Sequence, residues 1–233
     1  MGKDVAVKQS TALSTNVNRR GFETESGKED LLIPRSKLIQ PLSPEVDELG
    51  IKAGAIINSL TKEILPATFI PVFVFKEFIR FNARATDKAG YDPNFPLGAL
   101  MWKTSDPTDP LVEQTKFGPN GEQPVGQAVL NFFSYFPGCA MPIIVSFAKT
   151  RYKAGKQLYS LTKFCQGDMF SRKYTLSTKK ETNDSGSYWV YQVAPDGIAE
   201  GEDYKAGEAL WNNFSSKAQS LNVHEVEEVT EAV

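Results

Sequence analysis

Residues 171–193, SRKYTLSTKKETNDSGSYWVYQV, hold two arms that read as strands around a turn, which commits this part of the chain to an antiparallel hairpin. Side chains in the first arm, Arg172 to Thr178, alternate as on a half-buried strand. The second arm, Tyr188 to Val193, is dense in the aromatic and β-branched residues that suit a pleated surface. Between them, Glu181 to Gly186 supplies turn chemistry, because Asn and Asp bond their own backbone and Gly accepts a positive φ. Period two puts Arg172, Tyr174 and Leu176 on one face, Lys173, Thr175 and Lys179 on the other, and Trp189 and Tyr191 opposite Tyr188 and Val190. Rings and cations therefore lie side by side. Two readings follow: a surface that grips a ligand with both, or a core of rings edged by lysines that discourage strand-to-strand aggregation.

Strand patterns recur along the chain. AGAIINSLTKEIL and ATFIPVFVFKEFIRFN are β-rich, the second setting Phe73, Phe75, Ile79 and Phe81 against Val74, Lys76, Phe78 and Arg80. AVLNFFSYF, MPIIVSFAKTRY and KQLYSLTKF follow as further strands, with Lys153-Ala154-Gly155-Lys156 as a turn between the last two. Short strands at close spacing predict a mainly β domain, barrel or sandwich. The expected organisation is a flexible arm over 1–29, a β-rich domain over 30–200, a C-terminal helix over 201–221 carrying Leu210 and Phe214 at i, i+4, and an acidic tail over 222–233. Residues 30–46 are broken by Pro34, Pro41 and Pro44 and are expected to lie extended against the domain or to meet a neighbouring subunit. Residues 83–126 hold much of the Pro and Gly and read as a loop too long for an ordinary connection, and hence as functional or disordered.

Composition narrows the function classes. Two cysteines, Cys139 and Cys165, without a CxxC pair, and a lone histidine, His224, support neither a zinc site nor a disulfide framework. No signal-peptide core and no 18-residue apolar run is present, so the expectation is a cytoplasmic protein without a membrane span. KAGK lacks the spacing of a phosphate-wrapping loop, no GxGxxG follows a strand, and His224 lies in the tail, away from any nucleophile. Asp106/Asp109 and Glu202/Asp203 are acidic pairs in loops, more simply solvated charge than a magnesium site. The chain is expected to be no enzyme and to need no metal or cofactor.

A formal charge of −2 conceals a polarised molecule. Residues 143–193 carry nine cations against three anions, and residues 194–233 carry two against nine. A basic β-surface with interleaved rings suits single-stranded nucleic acid, since cations displace counterions from phosphates and rings stack on unpaired bases of any identity. The candidate binding residues are Lys149, Arg151, Tyr152, Lys153, Lys156, Tyr159, Lys163, Arg172, Lys173, Tyr174, Trp189 and Tyr191, with Lys76, Phe78 and Arg80 as an adjoining strand. Trp189 and Tyr191 share a face and should be exposed or interior together. The acidic end, with Glu225, Glu227, Glu228 and Glu231, can fold back on such a surface and be released when it fills.

In the order of its parts, the chain resembles phage-encoded single-stranded-DNA-binding proteins: a β-rich domain, the basic-aromatic segments KTRYKAGKQLYSLTKF and SRKYTLSTKKETNDSGSYWVYQV, a helix, and the end HEVEEVTEAV. The resemblance covers roughly residues 50–193 plus the tail. It implies an OB-fold-like β-barrel, sequence-tolerant binding of single-stranded DNA in replication or recombination within the bacterial host cytoplasm, and contacts to replication or recombination proteins through the tail. A homo-oligomer is compatible with it. The chain departs from the pattern in ending Glu231-Ala232-Val233 without a terminal aromatic residue, and in its 83–126 insertion. Two alternatives share the basic surface: a strand-annealing accessory protein, and a structural module whose sheet meets an acidic protein.

Overall fold

A computed structural model describes residues 32–83, 90–183 and 186–215. The arm over 1–29 and the tail over 222–233 lie outside these residues. In chain order the elements are β1 (Ser36–Leu38), α1 (Pro44–Leu49), β2 (Ile56–Asn58), β3 (Thr68–Phe81), β4 (Leu100–Thr104), β5 (Gln127–Tyr135), β6 (Ile143–Phe147), α2 (Tyr152–Phe164), β7 (Arg172–Asn183), β8 (Gly186–Ile198) and α3 (Gly201–Phe214). The chain is mainly β, as expected, with helix α3 near the C-terminus.

The long strand β3 organises the sheet, which runs β6-β5-β3-β7-β8 with β4 also on β3. Its start pairs with β7 (Phe69 with Tyr174), its middle with β5 (Phe73 with Phe133, Lys76 with Leu130), and its far end with β4 (Arg80 with Trp102). Pro71, which has no N–H to donate, sits where the β3–β5 register shifts by one residue. The hairpin β7–β8 forms in the expected place, pairing Thr178 with Tyr191 and Lys180 with Trp189.

No barrel closes among the described residues: β6 and β8 end the sheet without pairing to each other. The segment over 33–40 bridges them instead. At β6, the Ile144 N–H donates to the Pro34 carbonyl (2.9 Å). At β8, the Gln40 amide donates to the Trp189 carbonyl and accepts from the Trp189 N–H, each at 2.9 Å. This is the work of the stretch whose role the sequence left open, and α1 begins at its last proline, where the missing N–H costs nothing.

Cores form on both faces. On one, Leu38, Ile56, Phe69, Phe132, Phe147, Leu158, Tyr191 and Val193 pack beneath α2 and the β1–β2 ribbon. On the other, Ile70, Phe73, Phe133, Ile144 and Phe170 pack against Leu210, Tyr204 and Phe214 of α3. Both helices approach through a glycine: a Cβ on Gly155 would lie 2.5 Å from the Phe147 Cβ, and one on Gly207 would lie 2.7 Å from the Phe170 Cβ. Gly155 is therefore a contact residue inside α2 rather than part of a turn.

Within the 83–126 excursion, residues 90–126 form defined local structure. Buried Asn82 holds it with its side chain, donating to the Asp92 and Phe95 carbonyls and accepting from the Asp92 N–H, all at 2.8 Å. Further along, β4 pairs with β3, and a turn of 3₁₀ helix over Pro110–Thr115 is capped by the Asp109 carboxylate.

Two outcomes follow from this packing. Ala normally favours a helix over Gly by about 1 kcal/mol, but the Phe147 Cβ is fixed to the β6 backbone and cannot rotate away. Gly155→Ala should therefore destabilise the protein by roughly 1–3 kcal/mol, read as a lowered urea midpoint; a stabilised variant would contradict the packing. The second concerns Tyr174, 2% exposed, whose phenol is pushed up to about 12 by burial and by Cys165 beside it. The unfolded chain ionises this group near its ordinary value while the folded chain cannot, so stability should fall as pH rises from about 10 towards 12. Tyr174→Phe should lose less stability than the parent between pH 8 and 11, and parallel losses would show that this phenol does not drive the fall.

Candidate nucleic-acid interface

The segment after β6 is not a strand. KQLYSLTKF lies in α2, where Ala154, Leu158 and Thr162 recur every four residues and are buried against the sheet. The β-branched content that favours strands is nearly absent here, Thr162 being the one such residue between Lys153 and Phe164. With the inward stripe taken by small and apolar groups, the outer face is left to Lys153, Lys156, Gln157, Tyr159, Ser160, Lys163 and Phe164, all exposed. Lys153, Lys156, Ser160 and Lys163 fall at i, i+3, i+7 and i+10, which is one stripe of a helix. Exposed Lys149 heads it, on the 3₁₀ turn Lys149–Arg151 that leads into α2.

The segment that supplies this surface carries charge of one sign. No Asp or Glu occurs between Gln123 and Gly167. The first turn of α2 has no acidic residue and no side-chain cap, whereas α3 begins with Glu202 and Asp203. Cations near a helix N-terminus oppose the macrodipole, each by about 0.3–1 kcal/mol at the surface, so the arrangement favours an incoming anion. Arg151 lies with its guanidinium 5.8 Å from the centre of the Tyr191 ring, and the Lys156 ammonium lies 5.8 Å from the Tyr152 ring. Burial holds the Tyr152 phenol above its ordinary range.

The structure thus gathers Lys149, Arg151, Tyr152, Lys153, Lys156, Tyr159 and Lys163 on one surface. Lys76 lies on the same face of the sheet: it pairs with Leu130, which pairs with Phe147 beneath Gly155. Its ammonium sits 4.6 Å from the Phe78 ring, and Phe78 itself is buried. Arg80 is taken up in structure, donating to Gln114 Oε1 (2.9 Å) and to the Gly90 carbonyl (3.0 Å). Half-buried Arg172 and Lys173 begin β7, and the Lys173 ammonium lies 3.8 Å from Asp203 on α3, across the sheet from α2.

The rings divide differently from the expectation. Tyr174 and Tyr191 are 2% and 3% exposed and belong to the core beneath α2, because the hairpin face that carries them is the one covered by helix and ribbon. Neither can stack on a base. Trp189 shares the face of Tyr191 and packs inward with it, its ring filling the space where Gly54 would carry a Cβ. Phe164, absent from the candidate residues, is 87% exposed at the end of α2. A helical period applied to 153–164 would have placed it beside Lys153 and Ser160.

The other acidic candidates are occupied in local structure. Asp106 accepts from the Thr108 N–H (2.8 Å) and hydroxyl (2.7 Å), which holds its carboxyl below the usual range, and Asp109 caps the following 3₁₀ turn. Among the described residues no three His, Cys, Asp or Glu side chains converge as metal ligands, and no helix is long and apolar enough to cross a membrane. The tail glutamates Glu225, Glu227, Glu228 and Glu231 lie outside the described residues.

Lys149 holds a left-handed conformation, φ 47°, which costs a side-chain-bearing residue about 1–2 kcal/mol. Lys149→Gly should therefore unfold at a higher urea concentration than Lys149→Ala, which keeps the strained backbone and loses the side chain. The reverse order would mean that the turn into α2 is unstrained.

A family model described as Pam3 phage gp34-like protein matches residues 3–220. Comparison with curated proteins and with solved structures gave no match. The match takes in nearly the whole chain, the sheet, α2 and α3 together, so the protein belongs to the Pam3 phage gp34-like family.

Proposed function

We propose that this protein binds single-stranded DNA without sequence preference, along α2 and the turn that leads into it, and serves phage replication or recombination as a binding protein rather than an enzyme. The observation that carries the reading is the exposed stripe of Lys149, Lys153, Lys156 and Lys163 on a surface whose own segment contains no acid. Like charges at Lys153, Lys156 and Lys163 on one helix face repel one another, and a phosphate backbone relieves that repulsion while releasing counterions. A helix rises about 1.5 Å per residue, so Lys153 and Lys163 lie roughly 15 Å apart along the axis, a span of a few nucleotides. Contact through phosphate carries no base information, in keeping with sequence-tolerant binding. The acidic tail complements this surface, competing for it when DNA is absent and freed for replication or recombination proteins when DNA is bound.

Titration of the protein with fluorescent dT oligonucleotides and with duplex at two salt concentrations tests the proposal. Preference for the single strand is expected, with log Kobs falling against log salt at a slope of about −3 for four phosphate contacts. Lys156→Ala should reduce that slope by ~0.7. Lys173→Ala, whose charge already faces Asp203, should leave it unchanged. Removing the chain after Asn222 should tighten binding at low salt. No binding by the protein with or without its tail would refute the proposal and turn attention to an acidic protein partner for α2.

A further inference from the structure

We infer that Phe164 is a stacking platform for an unpaired base, set at one end of a strand path that runs along α2. The inference rests on the single-strand reading above and adds to it the residue that meets a base.

A single exposed apolar residue is ordinary on a protein surface, and exposure alone would say nothing. Position is what distinguishes Phe164. It stands 87% exposed in the last turn of α2, next to Lys163. Eleven residues separate it from Lys153, close to three helical turns of about 3.6 residues, so the two lie on one line along the outer face. Gln157 and Ser160 fall between them at i+4 and i+7 from Lys153; their donors are used within the protein, Ser160 to the Lys156 carbonyl (3.0 Å) and Gln157 to the Val193 carbonyl (3.4 Å), and being uncharged they put no anion in the path of a strand. Tyr159, also exposed, flanks the stripe one turn before Lys163.

The occupant follows from the neighbours. An apolar partner would have to desolvate Lys153, Lys156 and Lys163 on meeting this face, a penalty of several kcal/mol per buried ion without a counter-charge. A polyanion meets the lysines with charge, and among polyanions a nucleic-acid strand with unpaired bases also offers a flat apolar face to the ring. Duplex DNA hides its bases from such a ring. The rings that the hairpin buries, Tyr174 and Tyr191, leave this duty to the helix.

The test compares parent and Phe164→Ala on a dT oligonucleotide and on an abasic strand of the same length and charge. Loss of one stacked base corresponds to roughly 1–3 kcal/mol, so the variant should bind dT about tenfold more weakly, with an unchanged salt slope, and should bind the abasic strand as the parent does. Equal affinity of the two proteins for dT, with the parent binding tightly, would overturn the inference and leave the single-strand reading standing. An equal loss on dT and abasic strands would also overturn it, because the ring would then act without a base. Failure of the parent to bind either strand would overturn the reading and the inference together. Since Phe164 is exposed, unchanged urea midpoints should confirm that the variant is folded.

Discussion

Arg35 anchors, at its β6 side, the segment that joins the two ends of the sheet. Its guanidinium is buried, donating to Asn131 Oδ1 (2.8 Å) on β5 and to the Ser146 hydroxyl on β6, and it lies 3.5 Å from the Glu77 carboxylate on β3. Asn131 in turn donates to Glu77 (2.6 Å), and Lys103 on β4 approaches the same carboxylate at 3.8 Å. Two charges removed from water are tolerable only when paired and hydrogen-bonded, and this network provides both. Four strands thereby share one polar centre inside an otherwise apolar sheet. The chain around Arg35 is what bridges β6 to β8, so the same contact keeps the β1–β2 ribbon over the core beneath α2.

The position of α2 depends on that core. Phe147 at the end of β6 presses into the gap left by Gly155, and Leu158 enters beside it, which turns the lysines outward. On the far face, Gly207 admits Phe170 in the same way, while Glu202 and Asp203 begin α3. The sheet thus separates a cationic helix from one with an acidic start. A chain of formal charge −2 thereby presents the exposed lysines of α2 on one side of its sheet, and the proposed function draws first on these.

Much of the architecture was legible in the chain. The hairpin followed from its alternation and its turn residues, β3 from its run of aromatic and β-branched residues, and α3 from Leu210 and Phe214. Charge separation could be counted directly. Two errors share one cause: a short segment without sustained periodicity supports either period, and KQLYSLTKF reads as a strand after a turn at 153–156, whereas the whole of 152–164 runs at 3.6. That slip made a contact glycine into a turn and left exposed Phe164 out of the candidate residues. The 83–126 segment was opaque for another reason, since a single buried asparagine just past β3, Asn82, organises residues 92–96 through contacts 10 and 13 positions away that no local pattern announces.

The sequence by itself determined the strands, the terminal helix and the concentration of cations between residues 143 and 193, because periodicity, turn chemistry and charge are local properties. Tertiary structure alone decided which rings are interior. Alternation shows that Tyr174 and Tyr191 lie on defined faces of the hairpin, but not which face the helix and ribbon will cover. That choice depends on contacts such as Arg35 with Asn131, 96 residues apart, and no local pattern encodes them.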